Sequence, residues 1–239
     1  RKVGLLAFMA ATVVLFHALT GSMIVGAAGV LLWFCLPWVE LLTRVRRMDL
    51  PIDKPLRRRV PRKDDFPYLD SVTDEIEAID GFEQVDDWGY EWQGAEHFFR
   101  LFYNPETKTQ AAVCLTRDDT FTHAYVKVMS RACDGKVYTT WNYPFSASLK
   151  LSPDQRLHWD RTSASFEGIL RSHREFLERN LNSLDEVTEQ APGEFLELLQ
   201  QDQRRLVDHN LALGVLKASG KGMCRYTWRG LVKDMVRLH

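Results

Sequence analysis

Residues 97–143 read HFFRLFYNPETKTQAAVCLTRDDTFTHAYVKVMSRACDGKVYTTWNY, and the punctuation of this stretch decides the fold of the larger part of the chain. Asn104-Pro105-Glu106-Thr107 carries proline in the second position of a turn. Asp134-Gly135 is a hairpin signal, because both residues tolerate positive φ. Arg117-Asp118-Asp119-Thr120 is a third polar break. These breaks leave apolar or alternating runs at 97–103, 109–116, 121–130 and 136–143. Three short connections in succession predict an antiparallel β-meander of about four strands.

Alternation within the runs separates two faces. Ala124, Val126 and Val128 point one way; His123, Tyr125 and Lys127 point the other. In the last run Val137, Thr139 and Trp141 oppose Tyr138, Thr140 and Asn142. One face reads as core. The second is amphipathic and aromatic, and Tyr125 and Tyr138 are its candidate partner-binding residues.

Downstream the pattern turns helical, with helices expected at 163–180, 192–216 and 224–238. The first has Thr162 or Ser163 as its cap and Phe166, Ile169, Leu170, His173, Phe176 and Leu177 at helical spacing. The second opens on Pro192, a residue suited to a first helical position. In the third, Arg225, Arg229, Lys233 and Arg237 recur every four residues beside a stripe that includes Trp228, which makes Trp228 a further partner-surface candidate. Upstream, residues 70–80 carry helix signals ending at Gly81, and Phe82, Trp88, Tyr90 and Trp92 follow as an aromatic stretch. Strands succeeded by helices predict an α+β layer arrangement for residues 66–239.

The N-terminal part has another character. Residues 3–19 and 23–39 are two uncharged apolar runs of 17 residues, separated by Thr20-Gly21-Ser22. Seventeen residues is the short end of what spans a bilayer as a helix. The expectation is therefore a membrane-anchored α+β protein, with residues 1–43 forming a two-helix transmembrane hairpin. A cleaved signal peptide, a buried helical hairpin and a re-entrant hairpin are the alternatives. Ser22 and Gly26, four residues apart, let helices approach closely and are candidate docking positions for a membrane partner or a second copy. His17 is the one ionisable side chain in the runs. The first residue is Arg1 rather than Met, so further residues are expected to precede it.

Residues 44–65 form a basic strap. Between 44 and 63 lie nine Lys or Arg against two Asp, with Pro51, Pro55 and Pro61 opposing a continuous helix. Arg44, Arg46, Arg47, Arg57, Arg58, Arg59, Arg62 and Lys63 are its candidate contacts with a bilayer of anionic headgroups. By the excess of positive charge, both ends of the hairpin and the main domain are assigned to the cytoplasm. Nucleic acid is not an expected partner, because the basic residues lack interleaved aromatics. Cys35, Cys114, Cys133 and Cys224 form no C-x-x-C pair and suit a reducing compartment.

No stretch matches a catalytic motif, and none calls for a cofactor or metal. Ser219-Gly220-Lys221-Gly222 lacks phosphate-loop spacing and reads as a flexible hinge. A metal site would need Glu96, His97 and His123 to meet on neighbouring strands and His158 or His173 to join them. The leading expectation is a non-catalytic, membrane-anchored accessory, structural or assembly subunit of a larger complex. The alternatives are an enzyme on a membrane-derived or lipid-linked substrate, using His97, His123 and Glu96, and a ligand-sensing domain using the aromatic face.

Overall fold

The computed structural model describes residues 11, 13–15, 17–62, 64, 66–118, 122–143 and 149–231. In chain order its elements are α1 (Met23–Arg47), β1 (Leu50–Pro51), β2 (Arg57–Arg58), α2 (Leu69–Glu77), β3 (Glu83–Trp92), β4 (Ala95–Asn104), β5 (Thr109–Arg117), β6 (Thr122–Arg131), β7 (Val137–Trp141), β8 (Gln155–Trp159), α3 (Phe166–Asn180), α4 (Phe195–Ala212), β9 (Leu216–Gly220) and β10 (Met223–Tyr226). They fall into two compact units. One is Pro51–Leu213; the other joins the described residues through Leu50 to those from Gly214 to Leu231.

The larger unit is built on a seven-stranded sheet in the order β2-β3-β4-β5-β6-β7-β8. The four expected strands are β4 to β7, paired antiparallel in sequence order. Their turns form as the residues require: the Asn104 side chain accepts from the Thr107 N–H at 3.1 Å, and Gly135 takes φ +80°. The sheet extends past the meander on both sides. β3 joins β4 through Gln93-Gly94, both at positive φ. β8 adds parallel to β7, which makes the sheet mixed.

β5 is buried from Thr109 to Leu115, on both faces. Over one face lie α2 and α3, where Leu69, Ile76, Phe166 and Ile169 meet Phe98, Phe102, Val113 and Val128. Each such fully buried aliphatic or aromatic side chain stabilises the fold by roughly 1.5–3 kcal/mol. Over the other face, Phe195 and Leu199 of α4 pack on Leu101, Tyr103, Ala112 and Cys114. The first helix of the C-terminal set begins at Phe166, later than expected, because Ser165 rather than Thr162 or Ser163 caps it, accepting from Gly168 N–H at 3.2 Å. Asp160 instead gathers the backbone N–H groups of Thr162 and Ser163.

Several polar groups inside this unit are paired. The Arg100 guanidinium forks onto Asp87 with two bonds of 3.0 Å and donates to Thr73 Oγ1 at 3.1 Å. His173 is 1% exposed, between Thr140 Oγ1 at 2.9 Å and Ser130 Oγ at 3.0 Å. The buried Asn210 of α4 bridges the backbone N–H and carbonyl of Lys150.

In the second unit β1, β10 and β9 form a three-stranded sheet. Here the sequence reading needs correction. Ser219-Gly220-Lys221-Gly222 is a β-hairpin turn, not a hinge, with Gly220, Lys221 and Gly222 all at positive φ. Residues 223–226 are the strand that follows it, so the expected helix does not start at Cys224; residues 228–231 are helical, and 232–238 lie outside the described residues. The every-fourth-residue spacing of basic residues is outweighed there by alternate burial: Cys224 and Tyr226 are buried, Met223 and Arg225 half-exposed. Arg225 forks onto Asp49 at 2.6 and 2.7 Å, which Ser219 also contacts at 2.9 Å.

The transmembrane hairpin is overturned. Among the described residues no helix is long and apolar enough to cross a membrane. Most of the first apolar run, residues 3–10 with 12 and 16, lies outside the described residues; residues 17–20 are helical and end where Gly21 N–H bonds the His17 carbonyl at 2.8 Å. The second run is only the start of α1, which continues through Glu40, Arg44, Arg46 and Arg47. An uncharged run reports local hydropathy and not where a helix ends. The integral-membrane localisation and the cytoplasmic assignment were derived from that hairpin and fall with it.

Candidate functional site: the aromatic face of the sheet

Strand alternation and register bring one group of side chains onto the face that carries α4. Tyr90 pairs with His97, His97 with Thr116, and Thr116 with His123 across four neighbouring strands. One step along, Trp88 pairs with Phe99, Phe99 with Cys114, and Cys114 with Tyr125. Lys127 then faces Trp141.

α4 crosses only one end of this face. Phe195 stands edge-on to Tyr103 at 5.0 Å, Asp202 pairs with Arg131, and Arg205 reaches Asp154 at 3.2 Å. Arg204 of the same helix holds Asp53 at 2.9 Å, which fixes the segment bearing Lys54. The Lys54 ammonium lies 5.1 Å from the Tyr90 ring centroid. Beyond α4 the rings touch one another: Tyr125 lies 4.6 Å from Tyr143 and 6.2 Å from Trp141, and His123 lies 5.8 Å from Tyr125. These four residues are half-buried.

The electrostatics of the face are one-sided. Lys127 holds its ammonium 5.9 Å from the Phe99 centroid, so two cations sit on aromatic faces. Among the described residues neither ammonium has an ion-pair partner. Burial, reinforced by Lys127, pushes Lys54 down to about 8. Burial, with Lys54 adding to it, pushes His97 down to about 4, so its ring is neutral at pH 7. His97 is stacked on Tyr90 at 4.6 Å and its Nδ1 meets Thr116 Oγ1 at 3.0 Å. Its Nε2 is buried with no hydrogen-bond partner. Burial raises the Cys114 thiol and, together with Cys114, the Tyr90 and Tyr125 hydroxyls. The thiol, hydrogen-bonded to Tyr125, is therefore protonated and is not a ready nucleophile. The arrangement suits binding of a negative or flat group.

The proposed catalytic set is not assembled. His97 and His123 share the face, but Thr116 stands between them, and Glu96 points to the opposite side, held by Arg59 at 2.6 Å and Arg117 at 3.5 Å. His158 and His173 lie under α3: His158 meets Ser172 at 3.0 Å and stacks on Phe176. Among the described residues no three His, Cys, Asp or Glu side chains could hold a metal ion together. Glu91, Glu96, Arg117 and Asp118 instead line an open charged cleft of about 480 Å³ with Trp92 beside the β3–β4 turn. Asp119 lies outside the described residues.

Of the partner-surface candidates, Tyr125 is central to the aromatic face. Tyr138 is not on it: it is 3% exposed and packs edge-on to Phe176 of α3 at 5.7 Å. Trp141 carries the outer position instead, because register places it opposite Lys127, while Thr140 lies opposite the buried Val128. Ser22, Gly26 and Trp228 belong to the second unit. Ser22 N–H reaches Thr20 Oγ1 at 3.4 Å just before α1, Gly26 lies in the first turn of α1, and Trp228 is overlain by the Arg46 guanidinium at 4.6 Å.

The basic strap is not one extended segment. Arg44, Arg46 and Arg47 occupy the last turn of α1, where cations complement the helix dipole. Arg57 and Arg58 form the edge strand β2. Arg58 binds Asp86 at 2.7 Å and Arg59 binds Glu91 at 2.7 Å. Arg62 is exposed, and Lys63 lies outside the described residues.

Sequence reasoning missed Lys54, Tyr90 and Cys114. The Trp88-x-Tyr90-x-Trp92 alternation followed by Gln93-Gly94 is a strand-and-turn signal that places Tyr90 on the face. No local signal distinguishes Lys54 from the cations around it. No protein-family model matches the chain, and no curated protein or solved structure matches it.

Proposed function

We propose that the chain is a non-catalytic binding protein, an accessory or regulatory component that receives another molecule on the Tyr125 face of its sheet. The observation that carries this reading is the ring cluster that α4 leaves uncovered. Tyr125, Trp141, Tyr143 and His123 are half-buried in mutual contact, on a sheet whose opposite face is closed by α2 and α3. Rings of this kind give large contact area at small cost in side-chain entropy. The separation of Glu96 from the two histidines, and the protonated state of Cys114, support binding over chemistry.

The test is a fragment screen by NMR on the full chain, using neutral, cationic and anionic flat compounds. Shift changes concentrated at Tyr125, Trp141 and Tyr143, and lost in Tyr125→Ala, support the reading. A screen in which no compound perturbs these residues, or in which hits gather elsewhere, overturns it.

A further inference from the structure

We infer that the group this face accepts is an anion, a carboxylate or phosphate carried on a flat apolar body, seated between Lys54 and Lys127 on the rings of Tyr90 and Phe99. The inference rests on the binding role proposed above and names its ligand class.

Three observations converge. The two ammoniums lie over neighbouring aromatic rings, at 5.1 and 5.9 Å, and neither has an ion pair among the described residues. Most other partly buried cations of this unit are matched by carboxylates: Arg100 by Asp87, Arg131 by Asp202, and Arg117 by Glu96. An unmatched pair of like charges is costly to bring together and is relieved by a bound anion. Lys127 is close enough to oppose the charging of Lys54, and Lys54 in turn opposes the charging of His97.

The third observation is His97 itself. Its Nδ1 is engaged with Thr116 Oγ1 at 3.0 Å, while Nε2 is buried without a partner. If the Thr116 hydroxyl donates to Nδ1, the neutral ring carries its proton on Nε2 and offers one further donor to an anion. A buried polar atom left unmatched in a native fold calls for a specific explanation. The aromatic floor and the Tyr125–Trp141–Tyr143 cluster beside it favour a flat apolar body behind the anionic group.

The experiment titrates the full chain by NMR and calorimetry with benzoate, phenyl phosphate, inorganic phosphate and the neutral isostere benzamide. Benzoate or phenyl phosphate binding at Tyr90, His97 and Tyr125, with benzamide at least tenfold weaker, is the expected result. Inorganic phosphate reports whether the charge alone suffices. Lys54→Met and Lys127→Met should each weaken the anion by roughly tenfold or more, as for loss of a charge-assisted bond. Lys136→Met, which removes an exposed pair with Asp134, should leave binding unchanged.

A second readout is independent of variant folding. Reductive methylation of the unaltered chain should be slowed at Lys54 and Lys127 by phenyl phosphate and at no other lysine. Equal affinity for benzamide and benzoate, or no protection of the two lysines, overturns the anion assignment while leaving the binding face standing. No binding by any compound at this face removes both.

Discussion

Replacing His173 by Gln tests how the buried layer under α3 is held together. The imidazole is 1% exposed and lies between two hydroxyls, Thr140 Oγ1 at 2.9 Å and Ser130 Oγ at 3.0 Å. A neutral ring satisfies this site, with one nitrogen donating and the other accepting. A charged ring is opposed first by burial and then by His158, and the pKa is pushed down to about 3. The unfolded chain binds the proton near the ordinary value of about 6.5. Between those two values the unfolded state carries a proton that the folded state does not, so stability falls as pH is lowered below 6.5 and levels off near 3. Well inside the window the slope is roughly 1.4 kcal/mol per pH unit. From pH 7.5 to pH 4.5 the contribution of this one residue therefore declines by roughly 2.5 kcal/mol. The assay is urea unfolding of wild type and His173→Gln at both pH values, followed by tryptophan fluorescence. His97, also pushed down by burial, is unchanged between the two proteins and cancels in the difference. The wild-type advantage over the variant should shrink by that amount at pH 4.5. An advantage that is the same at both values, within about 0.5 kcal/mol by the precision of extrapolated unfolding energies, would refute the reasoning.

Asp87→Ala leaves the Arg100 guanidinium, 11% exposed, without its carboxylate and should cost roughly 3–5 kcal/mol in denaturant unfolding. The double replacement Asp87→Leu with Arg100→Met should recover most of that loss, because it removes both charges from the interior. Ser165→Ala removes the cap that accepts from Gly168 N–H and should cost about 1 kcal/mol, read as a lower urea midpoint with an unchanged slope. In the second unit, a Cβ on Gly230 would run into the Val215 carbonyl oxygen. Gly230→Ala should therefore destabilise that unit by roughly 1–3 kcal/mol, seen as faster amide exchange in β9 and β10.

The sheet was legible wherever strands alternate and turns announce themselves. Asn104-Pro105 and Asp134-Gly135 marked the turns that define β4, β5 and β7, and Val126 and Val128 identified the core face of β6. The strands that escaped lack one signal or the other. β2 is two arginines, which hold edge positions by pairing with β3 and Asp86 rather than by hydrophobicity. β8 joins β7 in parallel across a long connection, and no hairpin signal announces such a partner. β10 was concealed because its one charge, Arg225, begins a series at helical spacing, while its burial alternates. The N-terminal reading failed for a different reason. It took the ends of an uncharged run as the ends of a helix, whereas α1 continues to Arg47. The candidate site was half visible: Tyr125, His123 and Lys127 follow from β6 alone. Lys54 does not, because only the folding of its segment beside α4 sets it on Tyr90.

The burial of β5 on both faces has a consequence for motion. Its neighbours β4 and β6 hydrogen-bond it along both edges, so the backbone between Gln110 and Leu115 has no direction in which to open alone. Its small residues, Ala111, Ala112 and Cys114, are what allow helices to press from both sides. Exposing those amides to solvent requires breaking both halves of the meander at once, which ties their exchange to unfolding of the whole sheet. The aromatic face thus adjoins a strand held on both edges and both faces, so a ligand arriving there meets a floor already in place.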